Sequence, residues 1–302
     1  MENRLTKKRL SDFLAYEWIW VIVAILSAIV LFEVIYTGIA VKPNKGQIFK
    51  YYYDENVYSG NDKAFLTMTG YGTENSIFSF DVLRVDGEFV EKGDTVLRTR
   101  LLANEGDMVF TDIKSEDGKP SRAEIIVTNY KVYSFDGFLA AAKEYLLALL
   151  KDGKGEEDLF DFASYDTAKI AALFDSRLKG DVRFRSEEKK NEGRRLEEKR
   201  IEKLVSSARF LDGLLKYDDT LSEEEKIFFK IDKDGLSRYA LRLDRLKNGV
   251  KNVSEYFHLS KQFTAENVVA MVFDFHQVQP DMQFESLSVI KMIIENFSDI
   301  TV

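Results

Sequence analysis

The chain has 302 residues, 43 of them basic and 51 acidic, a net charge of −8 and no cysteine. Residues 1–41 hold four of each sign. The whole imbalance therefore lies beyond them, which argues against nucleic acid as a partner and against a polybasic membrane-surface site. Without cysteine there is no disulfide and no lipid-modified N-terminal cysteine, so the fold must rest on its core.

Residues 1–17 read as a short tail carrying Arg4, Lys7, Lys8 and Arg9. The stretch 18–41 follows, 24 residues whose one charge is Glu33. At about 1.5 Å per residue it can cross a hydrocarbon core of about 30 Å. The basic residues before it favour a cytoplasmic N-terminus, and Tyr16, Trp18, Trp20 and Tyr36 suit the two headgroup regions. The expectation is a single-pass plasma-membrane protein with 42–302 outside. A cleaved secretory signal is the rival reading, since Gly38 and Ala40 are small residues before a cut site. The apolar run of 15 residues before Glu33, broken by Ser27 alone, exceeds a usual signal core and favours a retained anchor. Glu33 has two readings: a carboxyl near the outer leaflet that snorkels or is protonated, or a contact to a polar group on a membrane partner.

Beyond the anchor, Lys42-Pro43-Asn44 ends the helix. The aromatic run around 48–53, with Tyr51, Tyr52 and Tyr53, predicts a strand with alternate faces buried. A second strand is predicted at 64–69, then a loop at Gly70-Tyr71-Gly72, which lacks the third glycine of a dinucleotide fingerprint. Strand 76–85, a polar turn, helix 95–105 and strand 106–113 read as a βαβ unit with parallel neighbours and a right-handed crossover. Strand 123–129 and helix 134–153 complete an α/β lobe over 42–153. In the helix, Phe138, Leu139, Ala142, Tyr145, Leu146 and Leu149 share a face.

Residues 154–222 read as wholly helical, with helices at 167–180 and 185–217. Ile201, Leu204, Ala208, Leu211 and Leu215 step by three and four, which suits a solvated helix packing one stripe on its own domain better than a partner-binding coiled coil. The α/β character returns over 223–302. Strands at 225–232 and 237–244 flank a Lys233-Asp234-Gly235 turn. Asp232 and Asp234 lack the further acidic positions of a calcium loop. A strand at 266–275 and an amphipathic helix at 279–299, burying Phe284, Leu287, Ile290, Ile293 and Ile294, close the chain. The fold class expected is α/β: one N-terminal transmembrane helix, then an extracytoplasmic mixed α/β domain with a helical insertion.

The passage GDTVLRTRLLANEGDMVFTD at 93–112 resembles the helix–glycine–strand segment of extracytoplasmic solute-binding proteins of ABC transporters. The ending VVAMVFDFHQVQPDMQFESLSVIKMIIENFSD is similar to that family's late strand, loop and C-terminal helix. The general arrangement also looks like that of uncharacterised single-pass proteins of Gram-positive bacteria. The resemblance implies capture of a small solute for an ABC permease. The sequence departs from the family in three ways: 54–75 offers no convincing helix between the first two strands, the outer part is short for a sugar binder, and it contains no Trp.

Nothing points to catalysis, a cofactor or a metal. There is no phosphate-binding loop, nucleophile elbow or zinc signature, and His258 and His276 are isolated. A surface glycoside hydrolase would need two placed carboxylates that sequence alone does not identify. In open parallel sheets ligands sit beyond the carboxyl ends of the strands. That rule selects Asp86, Thr111, Asp112, His276 and Gln277, with Tyr71 as a stacking face. Asp86 and Asp112 would then favour a neutral polar or cationic solute. The alternative is a ligand-free scaffold that contacts an envelope partner through its helical part and Glu33.

Overall fold

The computed structural model describes residues 11, 18–39, 45–54, 57–58, 62–90, 94–115, 118–231, 237–247, 258–259, 267–274 and 284–302. It divides the chain into two compact units, Met1–Lys42 and Pro43–Val302. In the first unit Trp18–Ile39 forms a helix, α1. Its side chains are described only up to Phe32, so that of Glu33 falls outside them. Among the described residues no helix is long and apolar enough to cross a membrane.

The second unit is mixed α/β. Its strands are β1 (Ile48–Tyr53), β2 (Val57–Tyr58), β3 (Arg84–Phe89), β4 (Met108–Asp112), β5 (Phe228–Ile231), β6 (Ser237–Arg242), β7 (His258–Leu259) and β8 (Val268–Val272). Six of them form one sheet in the order β3-β1-β4-β8-β6-β5, and β2 pairs with β7. β3, β1 and β4 run parallel. β8 is antiparallel to both β4 and β6, and β5 to β6.

The alternation of β1 explains the layers. Phe49, Tyr51 and Tyr53 face one core and Tyr52 the other, all nearly fully buried. Burying each ring contributes roughly 1.5–3 kcal/mol. On the Tyr52 face lie α3 (Asp94–Leu102), through Leu97 and Leu101, and α4 (Arg122–Asn129), through Ala123, Ile126 and Val127. The other face carries α2 (Asp62–Thr69), α5 (Phe135–Leu147), α7 (Glu187–Thr220) and α8 (Glu285–Phe297). α6 (Thr167–Arg177) packs on α7, where Gly193 leaves room for the Phe174 ring. A Cβ there would come within 2.2 Å of it.

Several expected elements differ. Residues 64–69 are helical, in α2, because Phe65 and Thr69 are buried one turn apart while Lys63 and Thr67 are exposed. The Phe65 ring lies 4.3 Å from that of Tyr51. The segment 54–75 therefore does contain a helix. Residues 123–129 form α4, not a strand. Ser121 and Glu124 build a capping box, with Ser121 N–H donating to Glu124 Oε2 at 2.6 Å, and this outweighs the β-branched composition.

The strand expected at 76–85 begins only at Arg84, and 76–83 is irregular. Of the polar turn expected after it, 86–89 belongs to β3 and Asp94 opens α3. β3 and β4 are joined through α3 and are parallel, but β1 lies between them, so they are not neighbours. The stripe of α7 is buried in the same core as the sheet, which leaves it closed to a partner coiled coil. The helices of 167–220 form a layer of this unit rather than a separate subdomain. Residues 233–235 lie outside the described residues.

Candidate binding cleft

Strand register separates the predicted site residues. Asp86 pairs in register with Lys50, and Thr111 lies four residues further along the strand direction, since Tyr51 is level with Met108. At about 3.3 Å per residue this is a separation of about 13 Å along the sheet. Asp86 lies inside β3 rather than after it, and takes both Nε and Nη2 of Arg84, at 2.6 and 2.5 Å. Tyr71 is near this end: its hydroxyl donates to Leu83 O at 2.7 Å. Burial and then Asp86 push the phenol pKa upward. His276 and Gln277 lie outside the described residues.

Thr111 and Asp112 do sit at the carboxyl end of β4, but among groups that satisfy one another. Thr111 Oγ1 donates to Asp54 Oδ2 at 2.8 Å, and Arg122 Nε and Nη2 grip both oxygens of Asp54 at 2.8 and 2.9 Å. Asp112 Oδ1 accepts Lys114 N–H at 3.1 Å. Asp54 and Arg122 were not foreseen. The end of the Tyr run and the start of the capping box were their only signals.

A cleft of 580 Å³ opens elsewhere, between the 71–83 segment and α7. It lies before β3, toward the amino ends of the parallel strands, and of the predicted residues it includes Tyr71. The segment has no regular ladder of its own, so its peptide groups are held by side chains from three helices. Lys203 on α7 donates to the carbonyls of Ser76, Ile77 and Phe78 at 3.1, 3.0 and 3.2 Å. Ser79 N–H donates to Glu285 Oε2 at 3.1 Å. Arg177 on α6 bridges Asp81 and Glu197, and Arg200 donates to Glu197 Oε1 at 2.7 Å and to Tyr145 Oη at 2.6 Å. Arg183 reaches Phe80 O at 3.2 Å.

Burial lowers the Lys203 pKa, with Glu285 opposing, and burial raises that of Glu285, with Ser79, Arg200 and Lys203 opposing. The Ser79 hydroxyl is close enough to favour charged Glu285. It nonetheless makes no hydrogen bond of normal geometry, although it is buried and lines the cleft.

The lining joins Phe78, Phe80, Val82 and Leu196 to Lys199, Arg200 and Lys203. An apolar hollow with a few placed polar groups is suited to orienting a small molecule. No group of three or more acidic or histidine side chains is placed to hold a metal among the described residues. No protein-family model matches the chain, and no curated protein and no solved structure matches it.

Proposed function

We propose that this chain is a membrane-anchored, extracytoplasmic solute-binding-like protein that serves an ABC transporter, with the cleft beside α7 as its binding site. The observation that carries this reading is that cleft, with its apolar wall and cationic ridge on the unit that follows α1. Its volume falls in the range of about 300–1,000 Å³ usual for small-molecule sites. The resemblance of 93–112 and of the chain's ending to solute-binding proteins supports the same reading. The anchor in this reading is the 18–41 stretch, whose helix exposes Trp18, Trp20, Leu26 and Phe32, and Glu33 is its proposed contact to a permease.

A second reading, a ligand-free scaffold, draws on the carboxyl-end residues. Thr111 and Arg122 are both committed to Asp54. One experiment separates the two. The full chain in lipid nanodiscs is screened against solutes by thermal shift and calorimetry. A solute whose binding Leu196→Asp abolishes supports the binding protein. Failure of a broad screen favours the scaffold. Protease added outside intact protoplasts should digest the domain, and protection of the domain contradicts the topology.

A further inference from the structure

A second hollow of 430 Å³ adjoins the cleft, and the two share Ser76, Lys199 and Lys203 as lining. Lys199 and Lys203 are one turn apart on α7 and so lie on one face. The waist between the hollows is thus formed by two lysines and Ser76, and since Lys203 gives its ammonium to three carbonyls, the Lys199 ammonium is the one left for a ligand. Each carboxylate of the lining belongs to one hollow only: Glu74 to the first, Glu202 and Glu295 to the second. All three are exposed, where water screens them. The buried acids nearby are engaged: Asp81 and Glu197 by Arg177, Glu197 also by Arg200, and Glu285 by Ser79 N–H. Lys199 is exposed and has no partner among the described residues. In the second hollow Lys291 donates to Ser206 Oγ at 2.9 Å. The first hollow adds the buried, unbonded Ser79 hydroxyl.

Resting on the binding reading above, we infer that the solute is an organic anion bound in the first hollow at its border with the second. Its carboxylate or phosphate sits at the waist on Lys199, and an apolar or aromatic arm lies against Phe78 and Leu196. This replaces the neutral or cationic solute that Asp86 and Asp112 suggested, since neither lines the cleft.

The test titrates the full chain in phosphatidylcholine nanodiscs with 4-phenylbutyrate, its amide and 4-phenylbutylamine, which share one arm and differ in charge. The acid should bind about tenfold or more tighter than the other two, the worth of one charge-assisted contact. Lys199→Gln should remove that preference without moving the unfolding temperature. Equal or tighter binding of the amide or amine, lost in Leu196→Asp, overturns the anion while leaving the binding cleft standing. No binding by any probe, or by the broad screen, overturns both. Nanodiscs containing phosphatidylglycerol separate two sources of the anion. Unchanged affinity for the acid assigns a free solute, and competition by the lipid assigns a headgroup; both outcomes support an anion at Lys199.

Discussion

Two polar clusters of the outer unit invite comparison. At the carboxyl ends of β1 and β4, Asp54, Thr111 and Arg122 form a closed set, with a bidentate arginine and a hydroxyl on one buried carboxylate. Before β3, the 76–83 segment is also fastened by charged side chains, but beside an open cleft with Lys199 unpartnered among the described residues and the Ser79 hydroxyl in no hydrogen bond of normal geometry. Both clusters stabilise an irregular connection. The second alone leaves polar groups over for something else, and spare bonding capacity, rather than position at a strand end, marks the site.

The largest expected effect is common to both. Arg122→Ala leaves buried Asp54 without its counter-charge, and Arg177→Ala leaves buried Asp81 with Arg183 at 3.5 Å and buried Glu197 with Arg200. Each should cost roughly 3–5 kcal/mol in urea unfolding of the full chain. They should part in hydrogen exchange: Arg177→Ala should deprotect 76–83 and weaken ligand binding, whereas Arg122→Ala should leave both unchanged. Equal deprotection of 76–83 by the two variants would dissolve the distinction.

The next effect is read by pH. Although Asp107 as a residue is half-buried, its carboxyl group is enclosed. Burial raises its pKa to about 7 against the Lys50 N–H that lowers it. The folded state therefore holds a proton that the unfolded chain releases near pH 4. The resulting stability is fully present below that pH and is lost as pH rises through about 7. The slope is about 1.4 kcal/mol per pH unit, at most about 4 kcal/mol in all. Asp107→Asn should flatten it, and an unchanged slope would rule out this group as its source.

Lys203→Met should cost about 1–3 kcal/mol by leaving three carbonyls without their donor, with faster exchange confined to 76–79. Exchange spread over the whole domain would mean that Lys203 does not act through that segment. Lys199→Gln should be smallest in stability, within about 0.5 kcal/mol, and large only in binding.

How far the sequence could be read follows the same division. Where one apolar periodicity holds, as in Leu287, Ile290, Ile293 and Ile294 or in Ile201 to Leu215, burial agrees with it. Where local composition and tertiary partners conflict, it does not. IFSF at 77–80 has strand composition, yet its backbone groups are taken by Lys203, Glu285 and Arg183, from residues more than 100 positions away. AEIIVTN looks β-favouring, but Ser121 and Glu124 start a helix, a signal that was present and outvoted. Ending the expected strand at 85, where β3 runs on to Phe89, put Asp86 after it. The strand-end rule then joined residues that the register holds apart. Of the predicted residues that are described, Tyr71 alone lines the cleft.

The central claim is that ligand binds beside α7 and not at the carboxyl ends of β1 and β4. It is tested most directly by the calorimetric affinity of the full chain for 4-phenylbutyrate in wild type, Lys199→Gln and Asp112→Asn. The account predicts about tenfold weaker binding in Lys199→Gln and an unchanged affinity in Asp112→Asn. Loss of binding in Asp112→Asn with Lys199→Gln unaffected would contradict it.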